Sequence, residues 1–318
     1  MTPNQLRTFA EIAATRSVRQ AAERLFVSPP AVSAALASLQ NELGVALVQR
    51  EGRGLALTPA GDVLAGYARR ILGLLDEAAA AVTGEADPAR GRVRLAGVTT
   101  AGEHVLPRFL ATFRARYPQA EISLEVGNRA RVWALLDDHE VDLAIGGRPP
   151  TAGRFTTLAT RSNPIVVVAA PGAARPRTRR RATRTTPKQA SAGDLARSVW
   201  LLREQGSGTR TTALELFDEL GIQPATLTLG SNGAIRESVQ VGLGVTLISL
   251  DAVARELDNG DLDELVLPGG RRDRAWHVVG RRGEALPPTA RLFLDHLTAA
   301  GNETPDRFRP VASTDARR

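Results

Sequence analysis

Apolar side chains recur at helical spacing in three separate runs within the first 45 residues. A residue that can cap a helix precedes each run, namely Thr2, Ser17 and Ser28, and Gly44 supplies a stop after the third. Three short capped helices in so few residues are typical of a helix-turn-helix, whose last helix enters the DNA major groove. A helical hairpin with good caps and no role in DNA binding is the alternative.

The third helix presents only short side chains on the face opposite its apolar stripe. It contains no cation from Ser28 to Leu39. Base recognition would therefore rest on hydroxyls, backbone groups and contacts between alanine and thymine methyl groups, or on DNA shape. The residues of this helix that we expect to meet DNA are Ser28, Pro29, Pro30, Ser33, Ala34 and Ala37.

A β-hairpin is predicted directly after the third helix. Residues 47–57 form two short apolar runs around a Gly-Arg-Gly tip. Such a wing can lay Arg53 along a phosphate backbone or into the minor groove, and Arg50 beside it is a second expected backbone contact.

Thr58 and Pro59 then open a long helix that the apolar spacing extends to about Gly84. Its apolar stripe is wide, which favours a seam between two copies of the chain. Packing of this helix against its own domain is the alternative.

Residues 1–61 resemble the winged helix-turn-helix of LysR-type transcriptional regulators. The matching segments, which stand in register, are Ala21-Ala22-Glu-Arg-Leu25, Ser28-x-Pro30-Ala31-Val32-Ser33, Leu39-x-x-Glu42-Leu43-Gly44 and Leu57-Thr58-Pro59-Ala60-Gly61. The resemblance continues to about residue 298. It implies promoter DNA as a partner, a homodimer or dimer of dimers, a small-molecule effector domain and contact with RNA polymerase. The chain departs from the family where Pro29 replaces a frequent glutamine and where alanines replace basic or amide residues in the third helix.

Strands and helices alternate after a linker at residues 85–91, which argues for parallel α/β sheets. Two such units of similar length predict two lobes around a cleft, as in periplasmic binding proteins. The fold class expected is therefore an α/β chain with an N-terminal all-α winged helix-turn-helix, a long linker helix and a two-lobed effector domain. The expected divisions are a DNA-binding domain at 1–61, a linker and dimerisation helix at 62–90, lobe 1 at 91–162 plus 268–300, lobe 2 at 163–267 and a flexible tail at 301–318.

Four junctions between strands and helices carry hydroxyl, amide or glycine residues. A helix N-terminus offers free backbone N–H groups and a positive dipole end, which attract anions. Ordinary N-capping explains any one junction, but in open α/β sheets such loops converge on one crevice. Arginines nearby could pair with a carboxylate or phosphate, or form surface or inter-lobe salt bridges. The effector-binding residues expected are Thr99, Thr100, Gly102, Asn128, Arg129, Arg148, Arg203, Ser207, Thr209 and Asn232.

Within the family, several of these segments resemble regulators of carbon-fixation operons. They are Gly127-Asn128-Arg129, Asp142 to Pro150, Leu202 to Arg210, and Gly230-Ser231-Asn232. That resemblance implies a phosphorylated sugar or a nicotinamide nucleotide as the effector. Regulators of sulfur assimilation and of the sulfite response share the Gly-Ser-Gly-Thr-Arg segment and are the alternative.

The formal net charge of +7 is concentrated in one segment. Residues 173–190 hold seven Arg and Lys residues and no acid, so the rest of the chain is formally neutral. We expect a disordered, solvated insertion there, and a supplementary phosphate contact with DNA is the alternative. The chain has no cysteine, which excludes disulfides and thiolate chemistry. It has no apolar run of transmembrane length and no signal-peptide pattern, so a cytoplasmic location without membrane contact is expected.

An enzyme is the main rival class, together with a transport binding protein. Ser207 lies in Gly-Ser-Gly, but the Gly-x-Ser-x-Gly pattern of a nucleophile is absent. The four histidines fall in different elements without metal-ligand spacing. A glycine pair at 242 and 244 lacks the third glycine of a dinucleotide fingerprint. We therefore expect no catalysis, no metal and no cofactor other than the anionic effector.

Overall fold

The computed structural model describes residues 1–52, 54–151, 154–172, 188–267, 270–299 and 307–311. The N-terminal module opens with three helices, α1 (Pro3–Thr15), α2 (Val18–Leu25) and α3 (Pro29–Leu43). Thr2, Ser17 and Ser28 each accept a backbone N–H of the first helical turn, and Gly44 ends α3 in the left-handed conformation, as the sequence predicted. Phe9, Ile12 and Leu39 are fully buried where these helices meet.

The predicted wing is confirmed as β1 (Val48–Glu51) and β2 (Gly54–Leu57), which pair antiparallel. The tip residue Arg53 lies outside the described residues, as does most of the basic insertion. The long helix α4 (Pro59–Ala86) follows, capped by the Thr58 side chain. Gly61 in its first turn lies against the chain of the wing, because an added Cβ would stand 2.0 Å from the Leu47 carbonyl oxygen.

The first lobe begins with alternating strands and helices. They are β3 (Arg92–Val98), a π-helix (Ala101–Val105), α5 (Leu106–Arg116), β4 (Glu121–Gly127), α6 (Arg129–Asp137) and β5 (Leu143–Gly146). The strands β3, β4 and β5 are parallel to one another, as expected. The helix that follows β3 begins at Thr99, contains the π-helical turn at Ala101–Val105 and continues as α5.

A single long strand, β6 (Phe155–Ala169), leads from the first lobe into the second. The second lobe contains β7 (Lys188–Gln189), α7 (Ala192–Arg197), β8 (Trp200–Leu202), α8 (Gly208–Leu220), β9 (Thr226–Thr228), α9 (Asn232–Gln240), β10 (Thr246–Ser249), a 3₁₀ turn (Leu250–Ala252), α10 (Ala254–Asn259) and β11 (Asp263–Val266). Its core is built around Trp200, which packs edge-on against Phe217 with ring centroids 4.8 Å apart.

The chain then returns to lobe 1 through β12 (Arg272–Arg281) and α11 (Pro288–Thr298), as the sequence predicted. Phe293 of α11 packs at right angles on Phe113 of α5, with centroids 5.1 Å apart. The expectation of parallel sheets holds for β3, β4 and β5 but not for the strands that join the lobes, because β12 pairs antiparallel with both β5 and β6, and β6 pairs antiparallel with β10 and β11. These pairs join strands that lie far apart in the sequence, so the local alternation of strands and helices does not reveal them.

The predicted unstructured tail is wrong for the part of it that is described. Residues Arg309–Pro310 form β13 and pair with Thr160 and Ala159 of β6. Phe308 is fully buried and its ring lies 5.7 Å from that of Phe109. A lone aromatic residue in a polar segment anchors the chain end, because lobe 1 offers it an apolar pocket that the sequence does not show.

Helix α4 packs against lobe 1 along its middle turns. Arg69 and Arg70 donate to Asp138 at 2.9 and 3.2 Å, and Arg70 also donates to Asp137 at 2.8 Å. Gly73 lies directly on the end of α6, since an added Cβ would be 2.5 Å from the Asp138 carbonyl oxygen. The linker helix is therefore tied by charge and by close backbone packing to the lobe that follows it.

Candidate functional site

Two surfaces gather the residues expected to carry function: the exposed face of α3, and the cleft between the two lobes. On α3, the side of the helix opposite Val32, Leu36 and Leu39 is open to solvent. The exposed residues there include all six predicted for this helix, Ser28, Pro29, Pro30, Ser33, Ala34 and Ala37. Because these side chains are short, a duplex could approach the helix backbone closely.

The wing is held beside this helical unit. Leu55 of β2 donates its N–H to the Arg16 carbonyl at 3.2 Å, and Gln40 of α3 accepts from Leu47 at 2.8 Å. Arg50 on β1 is exposed and lies opposite Leu55 in the hairpin. The wing residue Arg50 is thus placed on the surface, as a backbone contact with DNA requires.

The cleft between the lobes is a cavity of about 680 Å³, part of it open to solvent. Seven of the ten predicted effector residues line it: Thr99, Thr100, Asn128, Arg129, Arg203, Ser207 and Thr209. The junctions after β3, β4 and β8 therefore do converge.

The lobe 1 wall is formed by the loop after β3. Thr99 donates its hydroxyl to the Gly127 carbonyl at 3.4 Å, and Thr100 lies in the first turn of the helix, where its hydroxyl accepts from the Asn232 amide at 2.9 Å. Gly102 does not line the cavity. It is buried against Val126, where an added Cβ would lie 2.6 Å from a methyl group, so its role is close packing.

The lobe 2 wall is formed by the N-terminus of α8. Ser207 directly precedes this helix, but its side chain forms no capping hydrogen bond with the described residues of the first turn. Its hydroxyl lies 2.9 Å from the Thr209 hydroxyl instead. The first N–H groups of a 13-residue helix and its positive dipole end are thus directed at the cleft.

The other two polar junctions are ordinary caps. Asn128 accepts from the Arg131 N–H at 2.9 Å, and Ser231 accepts from the Ala234 N–H at 3.0 Å. Capping thus accounts for these two side chains, whereas it does not account for Thr100 and Ser207.

A chain of hydrogen bonds crosses between the lobes. Buried Arg203 donates to Asn232 at 2.6 Å, and the Asn232 amide donates to the Thr100 hydroxyl at 2.9 Å. Arg203 also forms a two-point pair with Glu204, at 2.7 and 2.8 Å. Burial raises the pKa of Glu204, but its hydrogen bonds with Arg203 and the backbone and the charge of Arg203 outweigh this, so the pKa lies below its usual range.

Asn232 therefore lies beneath the cleft, 2% exposed, and acts between the two lobes. Arg148 is exposed and does not line the cavity, although its carbonyl accepts from the Arg129 guanidinium at 2.9 Å. Burial and the charge of Arg148 both lower the pKa of His277 on the neighbouring strand.

Arg274 and Asn163 line the cleft and were not predicted from the sequence. Arg274 on β12 donates to the Gly208 carbonyl at 3.2 Å and to the Thr212 hydroxyl, which places a cation at the start of α8. Asn163 on β6 accepts from Ser249 at 2.6 Å. Both residues lie on the strands that join the lobes, and their strand positions give no local signal. The sequence offers one hint for Arg274, which lies two residues before Trp276. Alternate residues of a strand point to the same face of the sheet, so the two side chains share a face.

The side chains of Glu77, His139 and Glu284 form a cluster at the junction of α4 and lobe 1. One carboxylate oxygen or imidazole nitrogen of each residue lies within 4.8 Å of those of the other two. Arg281 donates to both glutamates, and His139 lies 2.9 Å from Glu77. Arg281 supplies the positive charge of this cluster. The cluster therefore adds to the ion pairs between the linker helix and lobe 1.

No helix within the described ranges has the length and apolar character needed to cross a bilayer.

Two family models match the chain. Residues 3–62 match "Bacterial regulatory helix-turn-helix protein, lysR family", and residues 86–302 match "LysR substrate binding domain". The chain belongs to the LysR family of transcriptional regulators. LysR proteins bind promoter DNA and form oligomers, and this LysR chain is a DNA-binding transcription regulator with an effector-binding domain, not an enzyme.

Its sequence relatives include regulators named for carbon fixation, as the segment resemblance predicted. It is 36% identical over 302 residues to the transcriptional regulator CbbR of Xanthobacter flavus, covering 94% of this chain and 88% of that protein. It is 33% identical to the transcriptional activator CmpR of Synechocystis, covering 94% and 95%. It is 34% identical to the RuBisCO operon transcriptional regulator of Allochromatium vinosum, covering 92% and 94%.

Solved LysR structures share the fold. The full-length regulator CbnR aligns with a TM-score of 0.67 at 22% identity, covering 93% of this chain and 98% of that one. The regulatory domain of Synechocystis CcmR in complex with 2-PG aligns with a TM-score of 0.59 at 29% identity, covering 67% of this chain and 98% of that domain. These likenesses support the winged module followed by a two-lobed effector domain.

Proposed function

We propose that this LysR regulator senses a compact phosphorylated metabolite held between its lobes, and that binding changes its affinity for promoter DNA. The observation that carries the proposal is the pair of junctions at Thr100 and Ser207. Both place a helix N-terminus at the cavity, and their hydroxyls bond to Asn232 and to Thr209 and not to the backbone N–H groups of those helix ends. A phosphate suits such a site because it accepts several hydrogen bonds at once.

The charge of the cleft supports an anion. Arg129, Arg203 and Arg274 line it, against the single carboxylate of Glu204, which also lines it. Because Arg203 already pairs with Glu204 and Asn232, we assign first contact with the ligand to the backbone N–H groups of α8 and to Arg129 and Arg274. Neither Gly102 nor Arg148 is needed as a direct contact.

The relatives favour the carbon-fixation branch of effectors. The related regulatory domain of CcmR was solved with 2-PG, and several sequence relatives are named as RuBisCO operon or CbbR regulators. We therefore place phosphorylated metabolites of carbon fixation first and nicotinamide nucleotides second. Sulfur oxyanions are the remaining alternative, supported by the shared Gly-Ser-Gly-Thr-Arg segment.

We further propose that α4 is the seam of a homodimer. Val63, Tyr67, Leu74 and Val82 on this helix are each more than half exposed in the single chain. Such a continuous apolar stripe is typical of a helix that buries itself against a second copy. A dimer would bring two winged modules to one promoter, and ligand-driven closure of the lobes could then alter their relative placement.

A thermal-shift screen of the full chain tests the effector assignment. The panel is 2-PG, sugar phosphates, nicotinamide nucleotides, sulfate and sulfite, with chloride as the ionic-strength control. We expect stabilisation by a phosphorylated compound, and loss of that shift in Thr100→Val and Ser207→Ala. Stabilisation by sulfite or sulfate alone would favour the sulfur alternative. A ligand shift retained in both variants would place the site outside the cleft.

A further inference from the structure

The turn between α2 and α3 presents a phenylalanine to solvent. Phe26 is 95% exposed, and no other large apolar residue in the part of the chain that the structure describes is as exposed. Val27 beside it is 48% exposed. Large aromatic side chains are normally buried, because exposing them forfeits their hydrophobic stabilisation. A phenylalanine this exposed gains no burial within its own chain, so it is available to a partner outside the chain.

The backbone of Phe26 gives a second reason to look for such a partner. Phe26 ends α2 in the left-handed conformation, with φ 55° and ψ 40°, and its N–H donates to the Ala22 and Glu23 carbonyls. Glycine and asparagine adopt this conformation at helix ends with little strain, whereas a bulky side chain does not. Neither the local backbone nor the core explains a phenylalanine here.

The position of Phe26 indicates what the partner is. It lies two residues before Ser28, the N-cap of the recognition helix, so their Cα atoms are at most about 7.6 Å apart. In a helix-turn-helix the N-terminal residues of that helix enter the major groove. The neighbouring exposed side chains, such as Ala34 and Ala37, are short. Phe26 therefore provides a long side chain next to a helix face that carries short ones.

We propose that Phe26 is a DNA contact of this regulator, packing its ring against apolar carbon of the duplex. Two groups offer that chemistry, the C5-methyl of thymine at the groove floor and the deoxyribose at the groove edge. The contact compensates for a recognition helix that carries no cation from Ser28 to Leu39. It adds affinity through apolar burial and not through phosphate charge.

The substitution Phe26→Asn separates this role from a structural one. Asparagine fits the left-handed backbone, so we expect the melting temperature of the full chain to stay the same or rise. We expect affinity for a duplex to fall about 10-fold, which is the lower end of what burying a phenylalanine provides. The duplex is selected from a random-core library with the unaltered chain, and affinity is read by fluorescence anisotropy. Val241→Asn, on an 83% exposed residue in lobe 2, is the matched control and should leave affinity unchanged.

Replacing single thymines of the selected duplex with uracil distinguishes a contact with the thymine methyl group from a contact with deoxyribose. If the ring meets a methyl group, one uracil weakens binding by the unaltered chain and has no effect on Phe26→Asn. If it meets deoxyribose, the variant loses affinity equally on every duplex. In either case the slope of log Kd against log salt should not change, because no charge is removed. Equal affinity of the variant and the unaltered chain on both selected and random duplexes would overturn the proposal.

Discussion

The DNA-facing module and the effector cleft arrange their functional side chains in opposite ways. On α3 the expected DNA contacts are exposed, and Ser33, Ala34 and Ala37 extend little beyond the helix surface. In the cleft, Arg203 and Asn232 are buried and already hydrogen-bonded within the chain. On the proposed function, a duplex would therefore meet a ready surface, whereas a ligand in the cleft would meet a network that it must join or displace.

This difference fits the two tasks. A DNA contact gains specificity from shape and close approach, so it can use small, fixed side chains. A sensor must couple binding to a change between its lobes, and the hydrogen bond between Asn232 and Thr100 is one link that a ligand can alter. The ion pairs of Arg69 and Arg70 with α6 then connect lobe 1 to the linker helix and, through it, to the DNA module.

The largest effect is expected from a substitution that destabilises the effector module alone. Arg94 and Asp142 are both buried, and the Asp142 carboxylate accepts from the Arg94 guanidinium at 2.7 and 3.1 Å and from its N–H at 2.7 Å. Asp142→Ala leaves the arginine buried without its counter-ion and should cost about 3–5 kcal/mol. Hydrogen exchange should accelerate in lobe 1 while α1–α3 stay protected. Equal acceleration in both modules would show that they unfold as one unit.

The converse substitution is Gly61→Ala, which forces a Cβ onto the Leu47 carbonyl and should destabilise the DNA module by about 3 kcal/mol. We expect DNA binding to be lost and the ligand-induced thermal shift to remain. Gly66→Ala, in the same helix with open space at the Cβ position, is the control and should keep both DNA binding and the ligand-induced thermal shift, with stability equal to or slightly above that of the unaltered chain. Loss of ligand binding in Gly61→Ala would contradict the separation of the two modules.

The substitution Glu204→Gln tests how the charge of the cleft affects its affinity for an anionic ligand. The change removes a negative charge beside the ligand but keeps a hydrogen-bonding group for Arg203. We expect 2-PG to bind about 10-fold more tightly, since an anion no longer faces a carboxylate. Calorimetric titration measures the change, with Glu237→Gln, at an exposed residue of α9 that does not line the cleft, as the control. Weaker binding would mean that Glu204 itself holds the ligand.

Arg50→Ala tests the wing and has a smaller effect. Removing one phosphate contact should weaken binding to all duplexes alike and reduce the slope of log K against log salt by about 1. The same is expected of Arg53→Ala, which the sequence places at the wing tip. An unchanged slope in a salt titration of both variants would remove the wing from the DNA interface.

The smallest effect concerns pH. Burial lowers the pKa of His104, His277 and His296 below their usual value of 6.5, so these imidazoles bind protons less readily in the folded chain than in the unfolded one. The unfolded chain binds protons first as the pH falls below about 6.5, which lowers the free energy of unfolding. The melting temperature should therefore fall between pH 7.5 and pH 5.5, and His296→Gln should reduce that fall. Stability that rises on acidification would contradict these pKa directions.

How much the sequence predicted also differs between the two regions. The N-terminal module depends on local rules, in which a cap, an apolar stripe and a stop lie within a few residues, and its three helices and wing were predicted closely. The cleft depends on distant contacts. Thr100 and Ser207 could be proposed from their junctions, whereas Arg274 and Asn163 reach the cleft only because β6 and β12 cross between the lobes. The same long-range pairing explains why Phe308 and β13 were missed.

A crystal structure of the full chain grown with 2-PG tests the central claim most directly. We predict density for the phosphate between the two walls of the cleft, with its oxygens within hydrogen-bond distance of the α8 N-terminal N–H groups and of the loop at Thr99 and Thr100. Saturating ligand that binds elsewhere on the chain, or an empty cleft under those conditions, would contradict the account.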